Sequence, residues 1–95
     1  VRAIDLVFRK GKDGEIYNIG GGQEYTNIDI TNMLLKLLKK SKKEIEYVAD
    51  RPGHDFRYSL SNEKIERDLG WKPGVTFANG IKKTIAFYKK KLGYV

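Results

Sequence analysis

Asp50-Arg51-Pro52-Gly53-His54-Asp55 brings two carboxylates, a guanidinium and the chain's only imidazole into six consecutive residues. Proline fixes its own φ and biases Arg51 toward extended backbone. Gly53 permits a positive φ or a close approach of the backbone to a bound group. The run follows Ile45-Glu46-Tyr47-Val48, which reads as a strand. A strand that ends in a Pro-Gly turn can aim a guanidinium at an anion, and arginine grips phosphate bidentately while keeping its charge. The same residues also fit a surface turn whose charges pair with each other. His54, standing alone, is a hydrogen-bonding residue before it is a general base.

Other chemistry is sparse. Gly20-Gly21-Gly22 follows an apolar segment but does not match G-x-G-x-x-G, because Thr26, where a helix can begin, lies six positions after Gly20. A cofactor-binding role is therefore not assigned to the glycines. They let backbone approach a bound group, and Asn27 at the helix start can donate a hydrogen bond to it; Asn27 equally fits a second-choice cap. Tyr17, Tyr25, Tyr47, Tyr58, Tyr88 and Tyr94 are scattered, and none forms a Tyr-x-x-x-Lys pair. No catalytic residue is assigned. Without cysteine, and with a single histidine, the chain offers neither a disulfide framework nor a zinc ligand set, so no metal site is expected.

The net charge of +7 admits an anionic partner: nucleic acid, an acidic membrane surface or a phosphorylated metabolite. Most of it is lysine, clustered at Lys36, Lys39, Lys40, Lys42 and Lys43 and again at Lys82, Lys83, Lys89, Lys90 and Lys91. Both clusters sit on polar faces or at C-terminal ends of expected helices, where lysine complements the helix dipole. Nucleic-acid binding would need aromatics interleaved with lysine, whereas Phe77 and Tyr88 follow an apolar stripe. That partner is disfavoured. No apolar run approaches membrane-spanning length and no signal peptide is visible, so a cytoplasmic protein without a membrane partner is the expectation.

The 95 residues suit one small domain. Val1, Ile4, Val7 and Phe8 recur at helical spacing, so the chain opens inside a helix, and Val1 reads as a cut edge. Gly11 and Gly14 end that helix. Ile16 to Ile19 reads as a short strand. Thr26, with Asp29 three positions on, opens a helix carrying Ile30, Met33, Leu34, Leu37 and Leu38. Strand, helix and then the Ile45–Val48 strand form a βαβ unit, predicting parallel strands and a right-handed crossover. After the Pro-Gly turn, Phe56 to Leu60 is extended. Ser61 caps a short helix with Ile65 and Leu69, and Gly70 closes it. Trp71 is expected to pack over that helix end. Thr76 caps a last helix whose apolar face is Phe77, Ile81, Ile85 and Tyr88. The expected fold class is α/β.

Four segments, taken in order, resemble one family: Gly14-Glu15-Ile16-Tyr17-Asn18-Ile19-Gly20-Gly21, Thr26-Asn27-Ile28-Asp29, Tyr47 through Asp55, and Leu69-Gly70-Trp71-Lys72-Pro73. Gly80-Ile81 and Lys83-Thr84 complete the set. The chain looks like the C-terminal part of the dTDP-glucose 4,6-dehydratases, extended short-chain dehydrogenases/reductases. The resemblance implies a Rossmann domain, absent from these residues, that binds NAD and carries the catalytic Tyr and Lys with an acidic pair. Residues 1–95 would be the smaller region that closes over a dTDP-sugar. Asn27, Asp50, Arg51, Pro52, Gly53 and His54 fall on nucleotide-sugar-binding positions, with Arg51 at the diphosphate. The whole enzyme would oxidise C4 of the glucose, eliminate water across C5 and C6, and return the hydride to C6, as a homodimer in rhamnose biosynthesis. Alone, residues 1–95 would be inactive. Phe56 stands where a basic residue is common in the family, and Tyr25 where a polar one is. A related nucleotide-sugar epimerase or decarboxylase, and a stand-alone basic anion- or nucleic-acid-binding module, remain the alternatives.

Overall fold

The structure, a computed structural model, describes residues 1–93. Its order is α1 (Arg2–Lys10), α2 (Asn27–Leu38), a 3-10 turn (Lys42–Glu44), α3 (Glu63–Leu69) and α4 (Phe77–Lys91). Among the described residues there is no strand, and this overturns the α/β expectation with its βαβ unit and parallel strands. A strand exists only as a member of a ladder, with a neighbour about 4.8 Å away. Residues 16–19 and 45–48 find no such neighbour here. They fall in different compact units: one holds Val1–Gln23 and Ser59–Thr76, the other Glu24–Tyr58 and the segment from Phe77. The second segment is also shortened from its front. Ser41 caps the 3-10 turn, its Oγ accepting from the Lys43 amide at 3.2 Å, and the Ile45 amide still bonds back to Lys42 at 3.1 Å.

In the first unit α1 packs against α3. Ala3 and Ile65, the two fully buried apolar residues among those described, lie on these helices at 2% and 0% exposure. Small Ala3 lets the backbones approach. The apolar stripe of α1 is not the one its spacing suggests. Leu6 and Val7 are half-buried, whereas Val1, Ile4 and Phe8 face outward. Tyr17 lies beneath the Lys64 ammonium, 5.1 Å from its ring centre, with its hydroxyl buried and unpartnered among the described residues. Lys64 also bonds Glu15 at 2.5 Å, which holds that carboxyl below the usual carboxylate range.

Helix α3 is held by its first residues. Ser61 Oγ accepts from the Glu63 amide at 3.2 Å, close to the expected cap. Asn62 is the residue at the cap position, yet its side chain leaves the helix alone. Its Oδ1 accepts from the Gly20 amide at 2.7 Å and its Nδ2 donates to the Gly20 carbonyl at 3.0 Å. The carboxamide thus satisfies both backbone groups of one residue, as a ladder partner would. A Cβ on Gly20 would sit 3.2 Å from both Leu60 Cβ and the Leu60 carbonyl oxygen, so a side chain there would push Leu60 back by a few tenths of an ångström. Gly70 ends α3 at φ +68°, as expected. Trp71 beside it is half-buried.

In the second unit α2 carries the expected face: Ile30, Met33, Leu34 and Leu37 are half-buried, with Leu38 at the exposed margin. Helix α4 follows its stripe for Phe77, Ile81 and Ile85, but Tyr88 faces outward and meets Phe87 edge-on at 5.3 Å. Tyr25 stacks on Phe77 at 4.7 Å. Tyr94 lies outside the described residues.

Two substitutions test these local assignments. Asn62→Ala strands the part-buried polar groups of Gly20 and should cost about 1–3 kcal/mol, read from denaturant melting. Lys39 ends α2 in the left-handed region at φ 55°, where a Cβ is strained. Lys39→Gly should stabilise the protein by up to about 1 kcal/mol.

Candidate functional site

Pro52 and Gly53 occupy the centre of a β-turn closed by the His54 amide, which donates to the Arg51 carbonyl at 3.3 Å. Gly53 adopts φ +70°. Proline at the second position and a positive φ at the third define a type II turn. The sequence pattern therefore forms locally what it specifies, although no strand leads into it.

Asp50 organises the side chains around this turn. Its Oδ1 accepts from the Arg51 amide at 2.8 Å and lies 2.7 Å from His54 Nδ1. The His54 contact, with the Arg51 amide second, holds the Asp50 carboxyl below the usual carboxylate range. The contact is therefore intact at neutral pH and is lost only as pH falls through that depressed value. Asp55 bonds the Tyr58 hydroxyl instead, and this raises the phenol's pKa, so Tyr58 keeps its proton and is no base. Both carboxylates thus take partners other than the Arg51 guanidinium. That guanidinium has no ion pair or hydrogen bond among the described residues. A turn whose charges merely neutralise one another would have consumed it.

Asn27 is the first residue of α2, in the same compact unit as the turn. It is not the cap. Thr26 takes that role in a reciprocal box: Thr26 Oγ1 accepts from the Asp29 amide and Asp29 Oδ2 from the Thr26 amide, each at 3.2 Å. The Asn27 carbonyl accepts from Thr31 Oγ1 at 2.8 Å, and no hydrogen bond joins the Asn27 side chain to the turn among the described residues. Asp50, Arg51 and His54 are thus brought together by direct contacts, and Asn27 shares only their unit. The lysine cluster that runs from the end of α2 through Lys43, and that of α4, also fall in this unit. Among the described residues no group of three or more His, Cys, Asp or Glu side chains could hold a metal ion, and no helix is long and apolar enough to cross a membrane.

A family model described as GDP-mannose 4,6 dehydratase matches residues 1–84. The chain belongs to this family. It is 48% identical over 101 residues to dTDP-glucose 4,6-dehydratase 1 of Escherichia coli strain K12, covering 99% of this chain and 28% of that protein. It is 47% identical over 88 residues to the dTDP-glucose 4,6-dehydratase of Streptomyces niveus, covering 93% of this chain and 26% of that one. Among solved structures, the dTDP-glucose 4,6-dehydratase of Streptomyces venezuelae with NAD and TYD bound superposes at a TM-score of 0.93 and 48% identity, over 98% of this chain and 29% of its own. That of Bacillus anthracis, in complex with NAD, does so at 0.91 and 43%, over 98% and 29%. The chain spans a little over a quarter of the length of these relatives. The resemblance read from the four segments is borne out.

One positioning contact in this dehydratase-family chain escaped the sequence reading. Arg57 bonds Glu24 through two parallel contacts of 2.6 and 2.7 Å, Nε to Oε1 and Nη2 to Oε2. It ties the segment after the turn to the segment before Asn27, and Glu24 holds the guanidinium's pKa above its already high value. The partners are 33 residues apart, so no local pattern announces them.

The positive φ gives the turn its own test. A Cβ at Gly53 would meet nothing within 4 Å, so any cost is conformational. Gly53→Val should destabilise the turn by about 1–2 kcal/mol, and Gly53→Asn by clearly less, because asparagine tolerates the left-handed region. Thermal melts of the two variants check the order.

Proposed function

We propose that this chain is the nucleotide-sugar-binding region of an NAD-dependent dTDP-glucose 4,6-dehydratase, which converts dTDP-glucose to dTDP-4-keto-6-deoxyglucose and water. The observation that carries the reading is the Arg51 guanidinium, left without an ion pair beside a rigid type II turn while both neighbouring carboxylates are engaged. A diphosphate offers paired anionic oxygens that match its two-pronged geometry. The names of the relatives support a dTDP-sugar as substrate.

In this reading Arg51 neutralises and orients the diphosphate, and Pro52 and Gly53 fix its backbone in advance. His54 presents its second ring nitrogen, and Asn27 supplies a hydrogen-bonding amide at the start of α2. These residues bind and position; none moves a proton on the sugar. NAD does not fit the groups present: Gly20-Gly21-Gly22 does not open a helix, because Thr26 is the cap that starts α2. NAD and the redox chemistry therefore belong to a Rossmann domain outside these residues, and residues 1–95 alone are inactive. The same reading includes a cytoplasmic homodimer acting in rhamnose biosynthesis.

The experiment is a calorimetric titration of the full-length protein with dTDP. Arg51→Ala should weaken binding roughly tenfold to hundredfold, the range for a lost charge-assisted pair. Arg51→Lys should recover only part, because a point charge cannot reproduce the fork. Melting temperatures should stay put, since the guanidinium has no structural partner. Unchanged dTDP affinity in Arg51→Ala would end the reading.

A further inference from the structure

We infer that Asp50 is a positioning residue: it holds the His54 ring and the Arg51 backbone in the turn and does not itself touch the bound anion. The inference rests on the reading of this turn as a diphosphate site and changes the part Asp50 plays in it.

The argument begins with hydrogen-bond inventory. An ionised carboxylate has only acceptors, and so has a diphosphate. No hydrogen bond can form between them, and their charges repel. Yet Asp50 stands at the head of the turn, with an exposed side chain and a carboxyl that its neighbours keep ionised. Its Oδ1 is already occupied twice, by the Arg51 amide at 2.8 Å and by His54 Nδ1 at 2.7 Å. A carboxylate oxygen facing Nδ1 requires the hydrogen to be on Nδ1. That fixes the tautomer and leaves Nε2 as the ring nitrogen without a partner among the described residues. Asp50 thereby fixes the orientation of the ring and leaves its Nε2 edge for a bound group. The same carboxylate steadies the Arg51 backbone, from which the guanidinium extends. Asp50 thus orders both the imidazole and the backbone that carries the guanidinium. Its own charge, unfavourable toward a diphosphate, is spent on the imidazole.

The test is a double-mutant cycle in the full-length protein, titrated with dTDP and with dTDP-glucose. Asp50→Ala should weaken dTDP roughly tenfold. In the background of His54→Ala, the same change should cost much less, because one pathway is removed twice. Asp50→Asn keeps a carboxamide oxygen that accepts from both N–H groups, and should restore most of the affinity. A purely structural aspartate would not show that coupling to His54. Three results would overturn the inference: full additivity of Asp50→Ala and His54→Ala, an Asn variant as weak as the Ala variant, or a loss seen with dTDP-glucose and not with dTDP. The last would mean that Oδ2 accepts from a sugar hydroxyl. Should Asp50→Ala fail to fold, the Asn variant with and without His54→Ala still decides. Arg51→Ala, run alongside, separates the two levels. If it leaves dTDP binding unchanged, the diphosphate reading falls and takes this inference with it. If it weakens binding while the cycle is additive, only the role of Asp50 is refuted.

Discussion

The Asn62 carboxamide, bonded to both backbone groups of Gly20, is the interaction on which the first compact unit depends. Among the described residues only Ala3 and Ile65 are fully buried apolar residues, too little to fix a fold by apolar burial alone. Without a ladder, the extended segment from Glu15 to Gly20 has no regular partner for its amides and carbonyls. Asn62 supplies one at Gly20, beside Leu60. The second unit has a counterpart in the parallel Glu24–Arg57 contacts. The two differ in weight. Asn62 is part-buried, so water cannot replace its bonds cheaply. The Glu24–Arg57 pair is solvent-exposed and sets geometry more than stability.

These clamps also explain which features the sequence made visible. Thr26 with Asp29, Gly70 after α3, and Pro52-Gly53 were all legible, because each is decided within a few residues: a side chain meeting its own helix terminus, or a φ that only glycine adopts easily. The strands were not. Ile16–Ile19 and Ile45–Val48 carry the composition of strands, but a strand is a relation between two segments, and composition does not reveal the second. The stripe of α1 failed for a related reason. The helix is apolar on two flanks, Ala3-Leu6-Val7 and Val1-Ile4-Phe8, and periodicity alone cannot say which flank meets α3. Asn62 and Arg57 were missed because their partners lie far away in the chain.

The candidate site was legible to the extent that it is local. Six residues specify their own turn, and the structure adds what their types could not: which charge takes which partner. Two carboxylates, a guanidinium and an imidazole could have paired in several ways. In the pairing that formed, Asp50 takes the imidazole, Asp55 takes the Tyr58 hydroxyl, and the guanidinium is left over. The division follows from reach. Asp50 and His54 face each other across the turn, and Asp55 and Tyr58 are three residues apart in the segment beyond it.

A free guanidinium on a flexible loop would be a weak anion trap, because binding would have to freeze backbone and side chain together. Here the backbone part is settled beforehand. Pro52 restricts its own φ and that of Arg51's neighbourhood, Gly53 holds the positive φ without strain, and Asp50 ties the Arg51 amide. What remains to be ordered on binding is the arginine side chain itself. That is the cost a two-pronged contact with paired phosphate oxygens is suited to offset, and a single point charge is not. On the proposed diphosphate reading, the turn favours arginine over lysine at position 51 for reasons of entropy as well as geometry. The lysines of this unit, from Lys36 to Lys43 and along α4, have a different part: they raise the potential of the unit without specifying a geometry.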